Sequence, residues 1–273
     1  MYGSEKWVVE EHQLKRWAYR LFGEIAVPGR IRNNHVLQAI RRLKLHKKPV
    51  KFLDAGSGKG DLSIHLARKY PQWEVAGYEL EESKISKSLR IAEHFDVRNV
   101  KYERGRLEEL PYADSFDLVT CLDVLEHIED DRTVIRRLFR SLKPGGVLII
   151  TAPSVPQRKH LSLVHRREQR IGFTPADYGH VRDGYGKDDV KEKFETAGGR
   201  VQDSYYTFGP FGTLAFDISF VIGDNQPHPA LYATLFPFLV ALGVADLHYI
   251  SDVGSAILAI GVRPPAEATD RGN

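Results

Sequence analysis

The stretch FLDAGSGKGD, Phe52–Asp61, closes an apolar run and then places three glycines within five residues. The segment before it is β-rich. The segment after it, DLSIHLARKY, sets Leu62, Leu66 and Tyr70 four apart, so the unit reads as strand, tight turn, helix. Such a turn can cradle a triphosphate, a dinucleotide or a sulfonium nucleoside. The triphosphate loop G-x-x-x-x-G-K-[ST] fails twice: Leu53 stands where its first glycine belongs, and Gly60 where its magnesium-binding hydroxyl belongs. The dinucleotide fingerprint G-x-G-x-x-G/A needs a small residue where Asp61 stands, and the bulk and charge of Asp61 both oppose a pyrophosphate.

Downstream of the turn, strands and helices alternate. WEVAGYEL (73–80), VKYERG (100–105), FDLVTCLDV (116–124) and VLIITAP (147–153) read as strands. EESKISKSLRIAEHF (81–95) turns Ile85, Leu89, Ala92 and Phe95 inward as a helix. A further helix runs from about Asp131 to KPGG (143–146), where proline and glycine stop it. The helix KDDVKEKFETAG (187–198), a strand at Arg200–Thr207 and a last strand at Gly254–Pro264 complete the pattern. It predicts a doubly wound α/β fold: a mostly parallel, seven-stranded Rossmann-like sheet with helices on both faces.

Flanking parts differ. Residues 1–47 read as an N-terminal helical cap, with helices at 5–24 and 31–46 joined by a turn VPGR, Val27–Arg30. The main domain spans 48–264, with a lid-like loop at 154–186, an insertion at 208–250 and a tail at 265–273. Within the insertion, Pro229–Ala245 is apolar for seventeen residues. That is short of the roughly 20 that a membrane span needs, and Pro237 should break or kink it. A lid helix over the sheet and an element lying in a bilayer interface both fit.

Of 273 residues, 42% are hydrophobic and 27% charged, which excludes a disordered or fibrous chain. The one cysteine, Cys121, excludes a disulfide framework and suits a reducing cytoplasm. The N-terminus carries acids where a signal peptide would be apolar. Residues 1–51 hold twelve Lys/Arg against four acids, although the whole chain is only +3. That surplus points to an anionic membrane surface as a partner and the inner membrane face as a location, or to a plain solvated helix face.

The series Asp54-x-Gly56-x-Gly58-x-Gly60 resembles the first motif of class I S-adenosylmethionine-dependent methyltransferases. Glu79 at the end of the second strand, LEELPYADSFDLVTCLDVLEHIED (107–130) and LKPGG (142–146) follow in family order. They are similar to the type-11, ubiquinone-biosynthesis-like small-molecule subgroup. The likeness covers residues 48–153 and, more loosely, 187–207. It implies S-adenosyl-L-methionine as cofactor, with Asp54, Gly56, Ser57, Gly58 and Gly60 at its amino-acid end. Glu79 and Leu80 would then lie at the ribose, and Leu107 and Leu122 in the remaining motifs. Arg106 departs from the pattern, standing where the family carries an acid for the adenine amino group. An arginine cannot accept that bond, so either Glu108 or a backbone carbonyl accepts it, or adenine is held mainly by stacking and the Leu107 amide.

Acceptor-side candidates follow from position. His127 lies just past the fourth strand, where open α/β sheets bind ligands, and reads as a base, a substrate contact or a structural partner of Glu126. His180 and Tyr185, in DYGHVRDGY (177–185), are alternative catalytic groups. Arg182 is the expected anion contact, or else it pairs with Asp177 or Asp183. His160 and His165 sit among arginines without acids at ligand spacing, so no metal is expected. The implied activity is methyl transfer to a small, partly hydrophobic acceptor of lipid, quinone or secondary-metabolite type. Nucleic acid is not expected, because LDVLEH stands where a base methyltransferase would carry its Asn/Asp-Pro-Pro-aromatic tetrad. A nucleic-acid methyltransferase and a non-catalytic, membrane-associated binding protein are the rival readings.

Overall fold

The computed structural model describes residues 2–155, 179–223, 229–249 and 251–265. Most of the lid-like loop, including His160 and His165, lies outside them, as does the tail beyond 265. Seven strands form one sheet: β1 (Lys51–Ala55), β2 (Glu74–Glu79), β3 (Val100–Arg104), β4 (Phe116–Leu122), β5 (Leu142–Pro153), β6 (Arg200–Thr207) and β7 (Ala256–Val262). Their order is β3-β2-β1-β4-β5-β7-β6. β1 pairs in parallel with β2 and β4, while β7 runs antiparallel to both β5 and β6. All seven strands were expected from the sequence.

The helices are α1 (Gln13–Phe22), α2 (Val27–Arg42), α3 (Asp61–Lys69), α4 (Glu82–His94), α5 (Asp131–Ser141), α6 (Lys187–Thr196), α7 (Pro210–Gly223) and α8 (Pro229–Asp246). Strand side chains alternate between two cores. Leu53, Val119, Leu148 and Ile150 meet Val134, Leu138 and Phe139 of α5 and Phe194 of α6. Phe52, Leu118 and Ile149 meet Ile40 of α2, Leu66 of α3 and Ala92 of α4. The chain runs from β1 outward to β3 and returns to β4 on the other side of β1. The carboxyl ends of β1 and β4 therefore flank the crevice where an open α/β sheet takes its ligand.

The N-terminal cap departs from expectation. Residues 5–24 are not one helix but a 3₁₀ turn, Ser4–Val8, followed by α1. VPGR is not a turn between helices but the first turn of α2, with proline at the start. Proline fits there because its missing N–H would have had no helical partner anyway. The break falls instead at Gly23, whose φ of 71° ends α1.

The insertion folds as a helical pair, and α8 runs through Pro237 rather than ending there. It packs on the cap, not across the sheet: Phe208, Ala215, Ile222, Phe236 and Leu239 form a third core with Val27 and Ile31 of α2. A buried polar knot ties the three segments together. The Asp246 carboxylate accepts from His35 Nε2 at 3.0 Å, the Phe208 amide at 3.0 Å and the Gly212 amide at 2.9 Å. No helix among the described residues is long and apolar enough to cross a membrane.

Candidate active site

The glycine turn lies at the switch point. Gly56, Gly58 and Gly60 have φ of 74°, 56° and 76°, a left-handed run that side-chain-bearing residues avoid. A Cβ at Gly56 would meet Val124 Cγ2 at 2.5 Å, and one at Gly60 would meet the Tyr102 hydroxyl at 2.4 Å. Gly56 and Gly60 are thus demanded twice, by conformation and by space. The Tyr78 carbonyl receives the amides of Gly56 and Ser57, at 2.8 and 3.1 Å, which pins the turn to β2.

Glu79 ends β2 beside this turn and is buried. Its Oε2 accepts from the Gly58 amide at 2.8 Å, and its Oε1 from the amides of Leu80 and Glu81 at 3.0 and 3.1 Å. A carboxylate offers about four acceptor directions, so the side chain is oriented by the backbone and keeps capacity for a hydroxyl. Leu80 stands out as an exposed apolar side chain at this rim. Ser57 Oγ is buried without a hydrogen-bond partner, an orphan donor in the cradle. These features fit a nucleoside cofactor with a charged amino-acid end: bare backbone at Gly58, an unsatisfied hydroxyl and an oriented acid. Leu107 is buried in a 3₁₀ turn and Leu122 is half-buried at the end of β4. Arg106 reaches away to Glu108 Oε1 at 2.6 Å, so the Glu108 oxygen weighed as an adenine acceptor is already engaged.

Asp54 is buried, with Oδ1 accepting from Thr120 Oγ1 at 2.9 Å. Burial pushes its pKa up to about 6, against the pull of the Thr120 and Ser63 hydrogen bonds. Thr120 escaped the sequence reading. Its only signal is a hydroxyl inside the otherwise apolar run of β4.

The cap closes over the same crevice. Arg32 Nη1 of α2 holds Asp123 Oδ2 at 2.6 Å just past β4, and Thr151 Oγ1 bonds Asp123 Oδ1 at 2.7 Å. Asp123 itself has φ of 51°, a left-handed conformation for a residue that bears a Cβ. Lys6 bridges Glu24 and Asp61, the latter at 2.7 Å. Burial opposes its charge, yet Asp61 and Glu24 prevail and raise its pKa. Part of the basic surplus read from the N-terminus is thereby neutralised inside the molecule.

On the acceptor side the structure brings together His127 and His180, fifty-three positions apart in sequence, with ring centroids 4.8 Å apart. His127 Nδ1 lies 3.1 Å from the Gly179 carbonyl. A carbonyl only accepts, so Nδ1–H is the donor and Nε2 is the nitrogen left for a further partner. Burial, and then the neighbouring His127, lower the pKa of His180. Glu126 is buried, and burial followed by the nearby Asp123 pushes its pKa up.

Two expectations are corrected here. Tyr185 was a catalytic candidate, but it is buried with its hydroxyl donating to Asp131 Oδ2 at 2.8 Å. Arg182 was the anion contact, but its Nη1 is taken by Asp131 and its Nη2 by the carbonyls of Ile128 and Glu129, at 2.6 and 2.8 Å. Its acid is Asp131 rather than Asp183, and Asp177 lies outside the described residues. Lys193 completes the knot on Asp131 at 3.2 Å. Asp131 opens α5 and can hold three donors because its carboxylate is buried among them. Together these bonds latch the segment carrying His180 onto the connection from β4 to α5 and the first residue of α5.

Comparisons with known proteins agree with this architecture. The family profile described as "Methyltransferase domain" matches residues 46–198. A ubiquinone biosynthesis O-methyltransferase of Neisseria meningitidis is 29% identical over 127 residues, 46% of this chain and 53% of that protein. The chain therefore spans about half the length of this curated relative. A Mycolicibacterium smegmatis protein named as a probable S-adenosylmethionine-dependent methyltransferase is 29% identical over 213 residues, 73% of each chain. The phosphoethanolamine N-methyltransferase 2 of Haemonchus contortus, solved with S-adenosyl-L-methionine, superposes with a TM-score of 0.53. It is 20% identical, with 79% of this chain and 49% of that one covered, and shows the shared fold. The chain belongs to the class I S-adenosylmethionine-dependent methyltransferase family.

Proposed function

We propose that this protein transfers the methyl group of S-adenosylmethionine to a small, partly hydrophobic acceptor drawn from an anionic membrane surface. The observation that carries the transfer is the cradle at the switch point: three left-handed glycines, the orphan Ser57 Oγ and the backbone-oriented Glu79. When bound, the cofactor supplies a methyl group already activated on a sulfonium. The remaining work is positioning and exclusion of water. Asp54 and Ser57 Oγ meet the amino-acid end over the bare glycines, Glu79 takes a ribose hydroxyl, and Leu80 borders the ribose. His127 and His180 form the acceptor side, and Arg182 and Tyr185 hold that side in place through Asp131. The relative named for ubiquinone biosynthesis supports an apolar ring or lipid as acceptor.

The membrane source rests on α1. Leu14, Trp17 and Leu21 recur at helical spacing on one face and are 73%, 59% and 61% exposed. Lys15, Arg16 and Arg20 flank them, the arrangement of a helix lying in an anionic interface. Phe22 meets Phe236, so this face is continuous with the apolar α8.

Calorimetry with S-adenosylhomocysteine, followed by label transfer from methyl-labelled cofactor to quinol, phenol and lipid acceptors, tests the reading. Failure to bind at millimolar concentration sinks it. Co-sedimentation with vesicles containing anionic lipid should be lost in the triple variant Leu14→Ser, Trp17→Ser, Leu21→Ser. Equal pelleting of variant and wild type refutes the membrane source.

The elevated pKa of Asp54 gives a pH signature. Below about 6 the free protein holds Asp54 protonated, and a cationic cofactor must expel that proton to bind. Affinity for S-adenosylmethionine should therefore fall about tenfold from pH 7 to pH 5. In Asp54→Asn that dependence should flatten while the overall affinity drops; an unchanged slope would show that another group titrates.

A further inference from the structure

We infer that Glu126, His127 and His180 form a binding site for a divalent first-row metal ion, placed on the acceptor side of the methyl-transfer crevice. One carboxylate oxygen and one nitrogen from each imidazole lie within 4.8 Å of one another. Glu126 is only 1% exposed, and its Oε2 accepts no hydrogen bond. Such an orphaned oxygen in a dry setting costs free energy unless a cation or a donor meets it.

The surroundings do not supply that cation. Two arginines lie near enough to act electrostatically on Glu126, Arg32 and Arg182. Arg32 is paired with Asp123, and Arg182 with Asp131. Asp123 has both oxygens engaged, by Thr151 and Arg32. Among the acids of this corner, Glu126 has no direct ion pair and keeps one buried oxygen without a hydrogen-bond partner among the described residues. His127 is pre-oriented as metal-binding histidines are. Its Nδ1–H donates to the Gly179 carbonyl at 3.1 Å, which fixes the tautomer and leaves Nε2 basic. The latch of Arg182 and Tyr185 on Asp131 holds the segment that carries His180, so the third ligand is presented by a braced loop.

The donor set selects the ion. Two imidazoles and one carboxylate suit zinc, manganese or ferrous iron rather than magnesium or calcium. Ligand atoms around zinc at about 2.0–2.2 Å stand about 3.4 Å apart in a tetrahedron, so loading draws the three side chains inward by about an ångström. Three protein ligands leave a fourth position open, the mark of a reactive rather than a structural site. That position can take an acceptor hydroxyl. The bound O–H loses its proton to solvent more readily, its oxygen then bonds to the methyl carbon, and the carbon–sulfur pair returns to sulfur. This last step rests on the methyl-transfer reading above; the binding site does not.

The test is direct titration of the metal-free full chain with Zn²⁺ and Mn²⁺, without cofactor or acceptor. One ion per chain is expected, with visible absorption of a low-symmetry site when Co²⁺ is substituted. His180→Ala and Glu126→Gln should each weaken binding at least tenfold, while His12→Ala, a surface histidine on the cap, should not. Circular dichroism on each variant separates ligand loss from unfolding. Absence of saturable binding by the folded wild type overturns the site, as does equal affinity in His180→Ala and Glu126→Gln. Binding without methyl transfer would leave the site standing and count against the transferase reading alone.

Discussion

Replacing Asp246 by alanine is expected to lower stability by about 3–5 kcal/mol, the scale for removing one partner of a buried charged network. The carboxylate is 2% exposed and receives donors from three segments distant in sequence. These are His35 of α2, the Phe208 amide at the end of β6, and the Gly212 amide in the first turn of α7. The last is among the helix-start N–H groups that have no partner within their own helix. Truncation strands all three in a dry place where no water replaces the acceptor. An asparagine side chain would keep one oxygen but set an amide N–H₂ against donors, so Asp246→Asn should recover only part of the loss. Urea denaturation of wild type and both variants measures this. A loss below about 1 kcal/mol for Asp246→Ala, no more than one ordinary hydrogen bond, would show that the insertion is held by its apolar contacts with Val27 and Ile31 alone.

Glu79→Ala carries the largest expected effect on the cofactor. A charge-assisted hydrogen bond to a ribose hydroxyl amounts to about 1.5–3 kcal/mol, roughly a 10- to 150-fold loss of affinity for S-adenosylhomocysteine. The variant also frees the amides of Gly58, Leu80 and Glu81, which the carboxylate now orders. The glycine turn should therefore loosen before any ligand arrives. Faster amide exchange at Gly58 in the cofactor-free variant would separate this preorganising role from direct contact. Unchanged affinity would refute the assignment of Glu79.

The two variants probe parts of the molecule that the sequence disclosed unequally. The placement of Asp54, the three glycines and Glu79 at one turn could be read in advance because each belongs to a local unit, a strand end or a tight turn. The strands were legible for the same reason: a buried parallel strand such as FDLVTCL is apolar nearly throughout, and its pattern needs no partner to be seen. Reading failed where the outcome depended on distant partners. VPGR holds turn residues, yet it opens a helix because α2 is anchored by Val27 and Ile31 against α7 and α8. Pro237 sits inside a helix for a related reason: packing around Phe236 and Leu239 supports a segment whose ladder has lost a bond.

The acceptor side shows the same division. Tyr185 and Arg182 have the chemistry of catalytic and anion-binding residues, and nothing near them in sequence reveals the buried Asp131 that takes both. His127 and His180 were separate candidates until the fold set their rings face to edge beside Glu126. By itself the sequence determined the sheet and its crevice, since these follow from short-range periodicity, and its motifs named the methyl donor through their resemblance to a family. The tertiary structure alone decided which polar groups are already satisfied and which remain open. Only there do Arg32, Asp123, Asp131 and Glu126 come within reach, and in that corner the arginines pair with Asp123 and Asp131 and leave Glu126 with an open oxygen.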